Sequence, residues 1–320
     1  MGALLKRYRL QVLVSLAFAG LLLAFAIASP RTFTGMRIYR SFMSTIPVTA
    51  VLAMGMTLLV VAGDMDLSFP SVAAASAYLF AEVFVRTGSS WFAFGAAILS
   101  GAFIGWTNGL IVVRIGVPSI IATIGTQFFW RGLVLLLSDG VAVSLASIRG
   151  NGLHSLLVGR LGGEIPAQFL WCLAIALGLA LLLNRHAFGD SLLFVGDNRR
   201  AAAMMGIPVE RVRVLAFVLM GVLAAFAGML STLELANWWP TQGEGYMLLV
   251  FASVFVGGTS AYGGEGTIYG SLVGAAIIGI IEAGIVSAGL AGFWTRLIYG
   301  LIIVVSVSIY TLMARRTGTS

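Results

Sequence analysis

"PVTAVLAMGMTLLVVAGDMDLSFPSVAAASAYLFAEVFV", residues 47–85, is two apolar runs with Asp64 and Asp66 set between them. Each run is long enough, with its neighbours, to lie in lipid, and carboxylates beside such runs are expensive. The chain must therefore stop one helix and start another at this point. Asp66 and Ser68 suit helix N-caps, and Pro70 is tolerated in a first helical turn. Asp64 reads as the residue nearer water. Contact with a solute, or a proton site, are the other readings of Asp66.

Composition extends this local reading to the whole chain. Hydrophobic residues make up 59% and charged residues 10%, with a mean hydropathy of +1.02. Ordinary globular domains carry roughly 25% charged residues. A soluble chain of this length has no room to hide so much apolar surface. The fold expected is all-α, a polytopic transmembrane bundle forming one domain over residues 1–320. The net charge of +7 has no basic stripe with interleaved aromatics, so it points to residues flanking spans and not to nucleic acid.

A span needs about 20 apolar residues. Ten candidates follow, near 11–29, 43–62, 70–86, 91–113, 118–138, 167–184, 212–235, 246–258, 267–289 and 293–313. The stretch 246–258 is short for a straight crossing and suggests a broken or tilted one. The apolar core after "MGALLKRYRL" exceeds the 7–15 residues of a signal peptide and reads as an uncleaved first span. Lys6, Arg7, Arg9, Arg114, Arg185, Arg199, Arg200, Arg211, Arg213, Arg315 and Arg316 then share one side. The positive-inside bias makes that side cytoplasmic, with both termini on it. Arg31, Arg37 and Arg40 run against the bias. The outer stretch 139–166 is Gly-rich and has room for a short amphipathic piece.

Gly101, Gly105 and Gly109 lie four apart, as do Gly266, Gly270 and Gly274. Small residues at that spacing let helices approach closely, within one chain or across a dimer seam. Trp238 and Trp239, in "NWWPTQGEG" (237–245), read as outer-surface aromatics, either an interfacial belt or a stacking platform for a solute.

Several chemistries are excluded. No GxxxxGK[ST], HExxH, GxSxG or paired-Cys motif occurs. Cys172 is the single cysteine, and His154 and His186 lack ligand-like spacing. No catalytic residue, metal site or cofactor is expected in the chain itself.

The cytoplasmic stretch 185–213 contains "GDNRRAAAMMGIP" (196–208), which reads as a short self-contained helix. Asp197 or Asn198 caps its start. Gly206 fits the left-handed position past its end, and Pro208 follows. Its Ala and Met face either lies on lipid headgroups or fits a partner's groove.

Four segments resemble the membrane permeases of ribose-type ABC sugar importers. They are "GMTLLVVAGDMDLSFPSVAA" (55–74), "GWTNGLIVVRIGVPSIIATIGTQFFWRGL" (105–133), "FGDSLLFVGDNRRAAAMMGIPVERVR" (188–213) and "VFVGGTSAYGGEGTIYGSLVGA" (254–275). They fall in the family's order. The resemblance implies a subunit of about ten helices in a bacterial cytoplasmic (inner) membrane. It implies as partners a second permease, copy or paralogue, two cytoplasmic ATPases that bind the ATP, and a solute-binding protein outside. It also implies that Gly189, Gly196, Asn198, Ala201, Ala202, Gly206 and Ile207 form the segment that docks on the ATPase. The chain departs from the family at Asp64 and Pro70, where the family usually has Gly. It departs again at Met247 and Leu249, where the family often has acids.

The function expected is therefore passage of a small polar solute, a monosaccharide or sugar alcohol, driven by ATP hydrolysed in another chain. Asp66, Ser68, Asn108, Thr123 and Gln127 are the pathway candidates. For Asn108 and Thr123, interhelical hydrogen bonding is the competing role. A secondary transporter using Asp64 or Asp66 as an ion site is the alternative function. A lipid-modifying membrane enzyme is disfavoured by the missing motifs.

Overall fold

A computed structural model describes residues 9–287 and 293–317. Lys6 and Arg7, used above for orientation, lie outside the described residues. All ten expected spans have a helix. They are α1 (Arg9–Ala28), α2 (Met36–Val61), α3 (Phe69–Thr87), α4 (Ser90–Leu110), α5 (Ser119–Ser138) and α6 (Ala167–Arg185). After α7 (Ala187–Asp197) and α8 (Arg199–Met204) come α9 (Val209–Leu235), α10 (Tyr246–Val256), α11 (Ile268–Ser287) and α12 (Phe293–Thr317). Among the described residues, seven of these, α1, α2, α4, α5, α6, α9 and α11, are long and apolar enough to cross a membrane on those grounds alone. The outer stretch does hold a short helix, Gly152–Val158.

Of the seven, α2 and α9 are the most buried and form the centre, with α3 and α4 packed on α9 and α11 on α2. The glycine stripes serve this packing inside one chain. A side chain at Gly105 would strike the Phe217 carbonyl of α9, and one at Gly274 would strike the Ser253 carbonyl of α10. Backbone contact this close raises the dispersion attraction that holds membrane helices together. Helix α4 ends in a π-helical turn, Ile111–Ile115, stopped by Gly116 at φ 87°.

Loops 62–68, 186–208 and 257–267 meet at one end of the bundle. There the Gly264 N–H donates to the Val61 carbonyl at 2.9 Å. Loops 139–166 and 236–245 meet at the other, joined by antiparallel pairing of Val143–Ser144 with Asn237–Trp238.

The half-length α10, of 11 residues, is preceded by loop 236–245. That loop folds inward, which overturns the surface reading of Trp238. Its indole is fully buried against Tyr78, ring centroids 4.7 Å apart, and donates to the Ala74 carbonyl at 3.0 Å. Irregular backbone is tolerated at membrane depth only where protein satisfies it. Arg131 of α5 does so, donating to the Pro240 and Gln242 carbonyls at 2.8 Å each. The Gln242 amide in turn donates to the Gly228 carbonyl at 2.8 Å.

Candidate functional site

The loop 62–68 gathers charged and polar groups from α4, α5, α8 and α9. Asp64 does not sit in water as expected; its side chain is 3% exposed. Arg213 of α9 grips both its oxygens, Nε to Oδ2 at 2.6 Å and Nη2 to Oδ1 at 2.8 Å. Arg199 of α8 adds Nη2 to Oδ1 at 3.2 Å and to the Gly63 carbonyl at 2.8 Å. Two guanidiniums on one carboxylate leave no free acid there for an ion site.

Asp66 is fully buried. Its Oδ1 accepts from the Ser68 N–H at 2.7 Å and the Ser68 hydroxyl at 2.5 Å. This is an Asx turn leading into α3, with Asp66 two residues before the N-cap. Ser68 occupies that position and makes no side-chain cap of its own. The Asn108 amide donates to the Ser68 hydroxyl at 2.7 Å, and the Thr123 hydroxyl accepts from the Leu67 N–H at 2.9 Å. Four of the five pathway candidates thus converge between α3, α4 and α5 as a closed, buried cluster. Gln127, one turn beyond Thr123, is half-buried. Asp66 Oδ2 and Asn108 Oδ1 have no partner among the described residues. Burial pushes the Asp66 carboxyl up from its ordinary value, against hydrogen bonds from Ser68 and Asn108. A protonated Asp66 supplies a donor that a carboxylate lacks.

The 196–208 stretch folds as its sequence indicates, and it is preceded by the unexpected helix α7. Asn198 Oδ1 accepts from the Arg200 and Ala201 N–H groups at 3.0 Å, and Gly206 stands at φ 82°. The seven expected docking residues divide by exposure. Gly189 and Ala202 are buried and face the bundle. Gly196 lies where backbones cross, because a side chain there would strike Val61 and Gly264. Asn198 and Gly206 are exposed, while Ala201 and Ile207 are half-buried. The outward apolar surface belongs to Phe194, Met204 and Met205, with Met204 84% exposed. Phe194 was not expected there.

A second feature lies at the opposite end. A groove of about 520 Å³ runs between α2 and α11, lined among others by Ser41, Thr45, Thr49, Glu282 and Ser287. Three of its hydroxyls, Ser41, Thr45 and Thr49, recur every fourth residue on α2. Glu282 is exposed into it, while Ile278 and Ile280 of the same helix are buried. Sequence reasoning missed both Glu282 and Arg131. The signal was available in each case, a lone charge inside an apolar span.

The comparisons agree with this architecture. The ribose import permease protein RbsC of Escherichia coli K12 is 30% identical over 282 residues, 87% of each chain. RbsC of Bacillus subtilis is 33% identical over 265 residues, 82% of this chain and 81% of that one. The L-arabinose transport system permease protein AraH of E. coli K12 is 32% identical over 304 residues, 94% of this chain and 90% of that one. Residues 38–307, from the start of α2 into α12, match the family described as "Branched-chain amino acid transport system / permease component". With that match over most of its length, the chain belongs to this family of transport permeases.

Proposed function

We propose that the chain is the membrane subunit of an ATP-driven importer for a small neutral polar solute, a monosaccharide or sugar alcohol. The observation that carries this is the α2–α11 groove. Its volume falls in the range of about 300–1,000 Å³ usual for small-molecule sites. Its hydroxyls suit a polyol, and the named relatives import ribose and L-arabinose. The groove is open and lined by α2 and α11, and in this reading a second permease placed by two-fold symmetry closes it into a path.

In this reading loops 62–68, 186–208 and 257–267 face the cytoplasm, as do both termini. Phe194, Met204 and Met205 dock on a cytoplasmic ATPase, which supplies the ATP site. Arg199 carries that contact to loop 62–68 through Asp64. The cluster of Asp66, Ser68, Asn108 and Thr123 is the fixed joint between this loop and α3–α5, with Gln127 above it on the solute side. A solute-binding protein delivers to the face formed by 139–166 and 236–245. Purification of the tagged chain from native membranes tests the reading. An ATPase and a solute-binding protein should co-purify, and proteoliposomes holding the assembly should take up D-ribose or L-arabinose only with ATP. Uptake by the isolated chain driven by an ion gradient would overturn it.

A further inference from the structure

Glu282 lies 14 residues into α11, roughly 21 Å along the helix at 1.5 Å per residue. That places it in the outer third of the span. A carboxylate at such depth is costly unless it faces a partner or a water-filled path. Among the described residues its side-chain partner on α12 is the buried Tyr299, whose hydroxyl lies within hydrogen-bonding reach of the carboxylate. The rest of its surface is open to the groove, opposite the hydroxyls of Thr45 and Thr49. Cations lie above it. Arg31, Arg37 and Arg40 line a cavity of about 610 Å³ that shares Thr32, Ile38 and Ser41 with the groove. Arg40 is already paired with Glu164. The path therefore begins at a basic rim and narrows onto one acid.

We propose that Glu282 is an acceptor post that sets the class of solute, taking hydroxyl donors of a neutral polyol and turning back anionic ones such as sugar acids or sugar phosphates. The inference rests on the groove being the solute path. Its chemistry follows from the donor inventory. A carboxylate only accepts, so it matches hydroxyl or ammonium groups. Hydrogen bonds to a charged acceptor are about twice as strong as neutral ones. A second copy across a two-fold axis would bring a second Glu282 to the same path and double the repulsion of anions.

The test reads the potential in the groove and needs neither the ATPase nor the natural solute. Thr45→Cys is introduced into the full chain in a Cys172→Ser background and reconstituted in liposomes. The modification rate of the introduced thiol is measured with a cationic and an anionic methanethiosulfonate of similar size. With Glu282 present the cationic reagent should react faster. Glu282→Gln should lower the cation-to-anion rate ratio roughly seven-fold, the effect on both reagents of one charge seen at about 7 Å through a water-rich medium. Glu282→Asp should keep the ratio. Because Arg31, Arg37, Arg40 and Arg296 are present throughout, their contribution cancels. A ratio unchanged by Glu282→Gln would overturn the proposal, as would a Thr45→Cys thiol that neither reagent reaches. Either failure leaves the importer reading standing, since that is decided by co-purification and ATP-dependent uptake.

Discussion

Replacing Asp64 by Ala should destabilise the protein more than any other single change among loops 62–68, 186–208 and 257–267. Three charge-assisted hydrogen bonds are lost, two from Arg213 and one from Arg199. The two arginines respond differently. Arg199 is 44% exposed and returns its charge to water at little cost. Arg213 is 12% exposed and is left without a counter-charge. Removing one partner of such a buried pair costs about 3–5 kcal/mol. Removing both charges in similar volume, as in Asp64→Leu with Arg213→Met, should restore most of that loss, because no orphaned ion remains. The measurement is the unfolding free energy of the purified chain in mixed micelles, titrated with SDS and followed by tryptophan fluorescence. If Asp64→Ala lies within about 1 kcal/mol of the parent, the ion cluster is not a strong contact. If the double variant is as unstable as the single one, the orphaned-charge argument fails.

Three further outcomes are expected. Gly206→Val should weaken co-purification of the ATPase, since Gly206 has open space for a side chain but a φ of 82° that a β-branched residue resists, a strain of about 1–3 kcal/mol, whereas Gly206→Asn should be tolerated. Asp66→Asn should keep the protein level and remove a pH dependence. Because burial raises the folded-state value of Asp66, its contribution is full below the unfolded value and is lost as pH rises through the folded one, so the parent alone should lose stability across that window in a thermal-shift series. Single cysteines at Ser155 and Ala203, both exposed, should label from opposite sides of the membrane in a Cys172→Ser background; labelling from one side would break the proposed topology, in which α6 crosses between them.

What was legible in the sequence is what local chemistry encodes. Span positions follow from apolar length, and each of the ten has its helix. The cap at Asn198 and the left-handed stop at Gly206 are written within the same short stretch, so they could be read directly. Asp64 could not be placed, because Arg213 lies 149 residues away and nothing near Asp64 announces it. Trp238 was misread for a similar reason. Tryptophan near a span end is commonly interfacial, and only the inward fold of 236–245, with the Ala74 carbonyl 164 residues away, makes it a core residue. Glu282 was visible as a lone acid, but its groove exists only once α2 and α11 are side by side.

The link between Arg131 and loop 236–245 also constrains how the protein is made. During synthesis α5 leaves the ribosome with its cation unmatched, because the carbonyls that receive it belong to residues 109 and 111 positions later in the chain. A guanidinium within a span costs up to about 2.5–3.5 kcal/mol on the scale of translocon insertion, the upper figure applying at the helix centre. Lipid is therefore a poor waiting place for α5. We expect it to wait at the insertion machinery, or with its arginine turned to a watery cleft, until α9 and the loop after it have been synthesised. The crossings of α6 and α9 and the folding of loop 236–245 thus separate the birth of this helix from its final seat, and chains halted before residue 240 should remain attached to the insertase.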